Sequence, residues 1–262
     1  MLIDINAHVG QWPFKQLKYN TCALLLERMN KYGVDISVVS NLNGVFYKDT
    51  QSANEELFEE LKSKKKFTNR FLPFAVINPT YGGWQNDFEI CTGKFGMKGV
   101  CLYPLYHDYE ITDPCCIELV KRARDKSIIV TFTHRIVDAR QRSWMDISKE
   151  WTMKDIMPII REVKDAKYFI VNAANSMNVD GTDDELLKNT DLLIDTSGRS
   201  LTNPGEMIKK LGKEKFAFGT HSPVLDYLTG LLRIESLRPD EADKATKELI
   251  RSGNAKKMLG IQ

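Results

Sequence analysis

Short runs of strand-forming residues alternate with longer stretches whose apolar positions recur at helical spacing, and the alternation runs through the whole chain. Strands are predicted at Leu2 to Ala7, Ile36 to Asn41, Phe71 to Ile77, Gly99 to Tyr103, Ile128 to Thr133, Tyr168 to Asn172, Leu192 to Asp195 and Phe216 to Gly219. Several, such as Ile36-Ser37-Val38-Val39 and Ile128-Ile129-Val130, are near-continuous apolar runs, as expected of parallel strands covered by helices. Between them helices are predicted at Thr21 to Lys31, Asn54 to Lys65, Pro114 to Asp125, Thr152 to Lys164, Asp183 to Lys188 and Pro204 to Leu211, with a short one near Trp84. Proline in the first turn, or threonine or aspartate before it, marks several of these starts. Val224 to Ile234 and Glu241 to Leu259 read as closing helices.

Eight strand-helix units within 262 residues, with no Pro/Gly/Ser-rich linker between them, predict one domain spanning 1–262 and folded as a (β/α)8 TIM barrel. A doubly wound open sheet is the structural alternative. In a parallel barrel the chemistry sits at the carboxyl ends of the strands. Those ends are polar here. The first runs Asp4-Ile5-Asn6-Ala7-His8, where alternation places Asn6 and His8 on one face. The fifth ends Thr133-His134, the sixth Val171-Asn172, the seventh at Asp195 and the eighth Gly219-Thr220-His221. Three of the four histidines thus stand at strand ends, and the fourth, His107, lies in the loop after strand four.

Composition narrows the function. Lys+Arg number 37 against 35 Asp+Glu, a net charge of +2, which leaves no electrostatic footprint for nucleic acid and no polybasic membrane anchor. No apolar run approaches a membrane span, and the start lacks a signal-peptide pattern, so a soluble cytoplasmic protein with a small-molecule partner is expected. The five cysteines form no C-x-x-C pair and suit reduced thiols; Cys101 reads as a small core residue. The lysine-rich run Lys62 to Lys66 reads as the solvated end of a helix.

Five segments carry a resemblance: Ile3-Asp4-Ile5-Asn6-Ala7-His8-Val9-Gly10, Asn69-Arg70-Phe71 through Asn78-Pro79, Gly96-Met97-Lys98-Gly99-Val100 leading to Tyr103-Pro104, Phe218-Gly219-Thr220-His221-Ser222-Pro223, and the late Asn254-Ala255. In order and placement the chain resembles the amidohydrolase-related family of metal-dependent barrel hydrolases. The resemblance implies a His-x-His on strand one, a histidine on each of strands five and six, and an aspartate on strand eight, together binding one or two divalent metals. This chain has Asn6, His8, His134, Asn172 and His221 at those places, so three of the five depart from the pattern. Some relatives also carry a bridging lysine on strand four; Val100-Cys101-Leu102 has none, which argues for a mononuclear site. The resemblance also implies a homodimer.

His8, His134 and His221 with an open fourth position suffice for zinc, Asn6 adding a weak oxygen ligand or orienting the water. The alternatives are a mouth of hydrogen-bonded histidines without metal, serving as a ligand-binding barrel, and metal-free acid-base catalysis by His134 and an aspartate. In hydrolysis the lost strand-eight aspartate leaves Asp195 and Asp138 as candidate bases, with Asn172 holding a substrate oxygen. Arg135, Arg140 and Arg142 in the loop after strand five suit capture of a small anion, as readily as they suit a solvated basic loop. Trp12 and Phe14, with Tyr103, Tyr106 and His107, would wall the pocket or pack the loops onto the barrel. The expected activity is metal-dependent hydrolysis, or a lyase reaction, on a small anionic molecule.

Overall fold

Eight parallel strands pair in chain order. They are β1 (Ile3–Val9), β2 (Ile36–Asn41), β3 (Phe71–Val76), β4 (Gly99–Leu102), β5 (Ile129–Thr133), β6 (Lys167–Val171), β7 (Leu192–Asp195) and β8 (Phe216–Ala217). The computed structural model describes residues 1–138, 142–173, 181–198 and 204–261. β8 returns to β1 through three backbone hydrogen bonds: Ile5 N–H to Phe218 O (3.0 Å), His221 N–H to Asn6 O (2.7 Å) and His8 N–H to Ser222 O (2.7 Å). The sheet therefore closes, and the (β/α)8 barrel stands over the open-sheet alternative. Among the described residues no helix is long and apolar enough to cross a membrane.

Local chemistry sets most helix boundaries. Thr21 caps Cys22–Tyr32 by accepting from Leu24 N–H (3.3 Å), and Gly33 ends the helix in the left-handed region at φ 66. Pro114–Asp125 and Pro204–Leu211 begin at their prolines as predicted. The helix expected from Asn54 begins instead at Thr50, because Asp49 accepts from Gln51 N–H and supplies an earlier cap. Glu241 to Leu259 is not one helix. It divides into Lys244–Glu248, a π turn at Leu249–Gly253 and Asn254–Leu259. The cause is tertiary: Ile250 O accepts Phe218 N–H (2.8 Å), and Asn254 Nδ2 donates to Phe216 O (2.9 Å). The terminal segment thus completes the backbone bonding of β8, which pairs over only two residues.

Two apolar layers follow from the pleat. Ile3, Ile5, Val38, Phe74, Ile129, Phe169 and Leu193 fill the barrel interior, while Val39, Val100, Val130, Ile170 and Ile194 pack outward beneath the helices. In β1 the register against β2 slips between Asp4 and Ala7. The slip resets the alternation: Ile3 and Ile5 belong to the interior layer, Ala7 and Val9 to the outer one. Asn6 and His8 both reach the interior side because of it. The helix Tyr227–Glu235 lies close against the backbone after β8, where a Cβ on Gly230 would come within 2.2 Å of Gly219 O. Gly230→Ala is therefore expected to lower the urea midpoint by an amount equivalent to about 1–3 kcal/mol, as overpacking against rigid backbone does.

Candidate active site

The residues that close the barrel also build its polar centre. Asp4, fully buried, accepts Asn6 N–H (3.0 Å), Thr220 N–H (3.0 Å) and the Thr220 hydroxyl (2.6 Å), tying the end of β1 to the turn after β8. Burial nevertheless pushes its carboxyl up to about 7. The next residue, His221, sits at φ 55, a costly conformation for a residue with a Cβ, and its strain marks a position held by its surroundings.

Its ring is oriented at both nitrogens. Nε2 lies 2.7 Å from Ile136 O, and since a carbonyl only accepts, Nε2 carries the proton. Nδ1 is then a lone pair, and it faces His8 Nε2 at 3.2 Å. His8 is fixed from behind by Ser40 Oγ, 2.9 Å from its Nδ1, and the two rings meet edge to face. The Asn6 amide reaches the same point, with Nδ2, a donor, 3.2 Å and Oδ1 3.4 Å from His221 Nδ1. Burial lowers the pKa of both histidines, that of His221 to about 4, so both are neutral.

Beside this pair stands Asp195. Its Oδ2 accepts from Asn6 Nδ2 (2.7 Å) and its Oδ1 from Asn172 N–H (2.8 Å), and burial raises its pKa. Asn172 is also in the left-handed region, at φ 54, and donates Nδ2 to Arg135 O (2.7 Å). Its Oδ1 lies against Gly198, where a Cβ would approach to 2.2 Å, so only glycine permits the contact. Arg233 donates to Thr196 O (2.5 Å) and to Gly198 O, holding the backbone after β7.

The loop after β5 covers the mouth. Arg135 is buried and engages Asp138 (3.3 Å) and Glu150 (3.6 Å). His134 is buried with its pKa lowered by desolvation to about 4. With Tyr103, Tyr106, Ile136, Val137 and Arg142 it lines a pocket of about 20 Å³, room for roughly one water molecule. Arg142 donates to Ser148 O (3.1 Å) and Tyr106 to Asp146 (3.0 Å). The Tyr103 hydroxyl lies near Ser40, Cys101 and Thr133 without a well-formed hydrogen bond.

The predicted residues divide accordingly. Asn6, His8 and His221 come together, with Asp195 and Asn172 beside them. His134 contributes to the pocket; among the described residues no three His, Cys, Asp or Glu side chains group as metal ligands. Trp12 is buried in an aromatic cluster with Phe14 (6.1 Å), Phe46 (5.0 Å) and Tyr106 (5.9 Å). His107 donates Nε2 to Gly44 O (3.0 Å), joining the loops after β2 and β4. Arg140 lies outside the described residues. Cys101 is a core thiol, pushed up to about 12 by burial. Ser40, Phe46 and the Ile136 carbonyl were not foreseen. Ser40, on the apolar strand β2, carries only the weak signal of a hydroxyl near a strand end.

No protein-family model matches the chain, and no curated protein matches it in sequence. Solved structures match it throughout. A 2,6-dihydroxybenzoate decarboxylase from Rhizobium is 12% identical over 99% of this chain and 98% of its own, with a TM-score of 0.70. A dihydroxybenzoic acid decarboxylase from a Polaromonas species, with bound manganese and the inhibitor 2-nitroresorcinol, is 12% identical over 99% and 97%, with a TM-score of 0.72. A putative amidohydrolase from Staphylococcus aureus is 16% identical over 99% of both chains, with a TM-score of 0.67. At these identities the likeness is one of fold, and this chain shares the fold of these neighbours.

Two imidazole donors stand at the spacing a divalent ion would need, although among the described residues no third His, Cys, Asp or Glu side chain joins them. Two ligands on one tetrahedral ion at ~2.0–2.1 Å stand about 3.3 Å apart; His8 Nε2 and His221 Nδ1 are 3.2 Å apart. Each ring is anchored through its other nitrogen, by Ser40 or by Ile136 O, as metal-binding histidines are. With the His221 proton committed to Ile136, its Nδ1 lone pair faces three partners: a proton on His8 Nε2, an N–H of Asn6 Nδ2 (3.2 Å), or a cation when one is bound.

Proposed function

We propose that the chain is an enzyme acting on a small anionic molecule at the mouth of the barrel, using one divalent ion, zinc, held by His8, His221 and the Asn6 side-chain oxygen. The observation that supports this is the facing pair of neutral imidazole nitrogens, 3.2 Å apart, each ring fixed from behind. When bound, the ion supplies Lewis-acid polarisation of a substrate oxygen.

A lyase reaction, loss of a carboxylate as carbon dioxide, suits the remaining groups better than hydrolysis. Hydrolysis needs a base beside an attacking water. Asp195 is engaged at both oxygens by Asn6 and Asn172, and Asp138 is paired with Arg135. In decarboxylation the C–C bond electrons stay on the substrate carbon, which then takes a proton. His134, the imidazole among the pocket residues and neutral at rest, would relay that proton to the carbon from solvent. Arg142 receives the anion, Tyr103 orients it, and Tyr106, backed by Trp12, supplies the apolar wall. The dihydroxybenzoate decarboxylases among the structural neighbours support the same substrate class.

Zinc- or manganese-loaded protein should release carbon dioxide from a hydroxybenzoate, and His134→Ala should lower kcat by about a hundredfold, as loss of general acid-base catalysis does. Absence of turnover across hydroxybenzoates by fully loaded protein would reject this reading. In Arg142→Gln, KM is expected to rise about tenfold with kcat nearly unchanged, the signature of a group that binds substrate and transition state alike. The five unpaired thiols support a reducing, cytoplasmic setting. Leu228 and Leu232, exposed one turn apart, support a homodimer through the helix Tyr227–Glu235.

A further inference from the structure

The opposite end of the barrel carries a second cavity, of about 490 Å³, unconnected with the chemistry above. Its floor is Phe71, Leu72 and Pro73, the first residues of β3. One wall is Phe58, which stacks on Phe95 with centroids 4.2 Å apart and planes 18° from parallel. The rim is Lys62, Lys65 and Lys98, all exposed. Lys62 has only a loose contact with Glu59 (3.9 Å), both side chains about two-thirds in water, and its ammonium lies 5.6 Å from the Phe58 ring centre. Lys65 and Lys98 have no carboxylate partner among the described residues.

A solvated helix end accounts for Lys62 and Lys65 but not for Lys98, which arrives from the turn before β4, nor for the half-buried aromatic face these ammonium groups surround. Apolar floor and net positive rim together favour a ligand with an apolar body and an anionic head, and the volume falls in the range of small-molecule sites. We propose that this cavity binds an amphipathic monoanion, a carboxylate on an aliphatic body of fatty-acid type, with the tail against Phe58, Phe95 and Leu72 and the carboxylate among Lys62, Lys65 and Lys98. Such a ligand shields the aromatic pair from water and offsets part of the rim's charge.

Isothermal titration with decanoate below its micelle concentration tests this, with 1-decanol as the uncharged control. One saturable site is expected, with 1-decanol at least about tenfold weaker, a difference near 1.4 kcal/mol. Lys65→Glu with Lys98→Glu should weaken decanoate by about tenfold or more while metal content and thermal midpoint stay at wild-type values. The milder pair Lys65→Gln with Lys98→Gln serves if the first does not fold. Equal binding of decanol, unchanged affinity in the folded double variant, or no saturable binding would each overturn the proposal.

Discussion

His221→Ala is expected to lower metal affinity by at least about a hundredfold and turnover by about a thousandfold, the largest single effect in the molecule. Three losses coincide. The substitution removes Nδ1, one of two imidazole donors at the facing pair; it removes the Nε2 bond to Ile136 O that holds the covering loop; and it leaves alanine at φ 55. Ser40→Ala should act on metal binding through His8, releasing its Nδ1 and costing about 10–100-fold in metal affinity. His107→Ala supplies the contrast. Its ring bonds Gly44 O, so stability should fall while metal content stays at the wild-type value. Competition titration of each variant against a chromogenic chelator ranks the three. A His221→Ala protein that binds zinc as tightly as wild type would remove this residue from the site.

The second large effect is loss of stability in mild acid. Stability rises with pH wherever the unfolded chain binds more protons than the folded one. Burial depresses the pKa of all four histidines, His134 and His221 to about 4, whereas in the unfolded chain they titrate near 6.5. Their contribution is complete above about pH 6.5 and declines as pH falls toward 4. Asp4, raised to about 7, works in the opposite direction, because the folded chain keeps a proton there that the unfolded chain has released. Asp195, also raised by burial, shares that sign. Asp87 is raised as well and Asp243 lowered, so four histidines and one carboxyl stand against three carboxyls and leave a net excess of protons on the unfolded chain near pH 5. Stability is expected to fall as pH is lowered from about 6 to 4.5. Urea denaturation across that range measures it; a flat or inverted profile would mean that the imidazoles are already protonated in the folded state.

The barrel was legible because its strands are apolar runs bounded by amphipathic helices, a pattern that needs no tertiary information. What escaped was set by contacts distant in sequence. The helix at Asn254–Leu259 is separated from Lys244–Glu248 because Phe218 N–H claims Ile250 O, and β8 is short for the same reason. Asn6, His8 and His221 could be placed by their strand ends. Their supports could not: Ser40 comes from the neighbouring strand, and Ile136 O from a loop 85 residues before His221. Nor did simple alternation suffice for Asn6, since the register slip in β1 is what allows Ile5, Asn6 and His8 to serve the interior together. Asp195, a candidate base by its place at the end of β7, is held by hydrogen bonds to Asn6 and Asn172 that the sequence does not reveal.

The central claim is a single divalent ion between His8 and His221, and metal analysis of protein purified without chelator measures it directly. Elemental analysis by mass spectrometry, before and after incubation with zinc or manganese and desalting, should give about one equivalent per chain in the wild type and close to none in His8→Ala and His221→Ala, folding being checked by circular dichroism. Less than about a tenth of an equivalent in the wild type, with no gain on adding either metal, would contradict the account and leave a proton between the two rings.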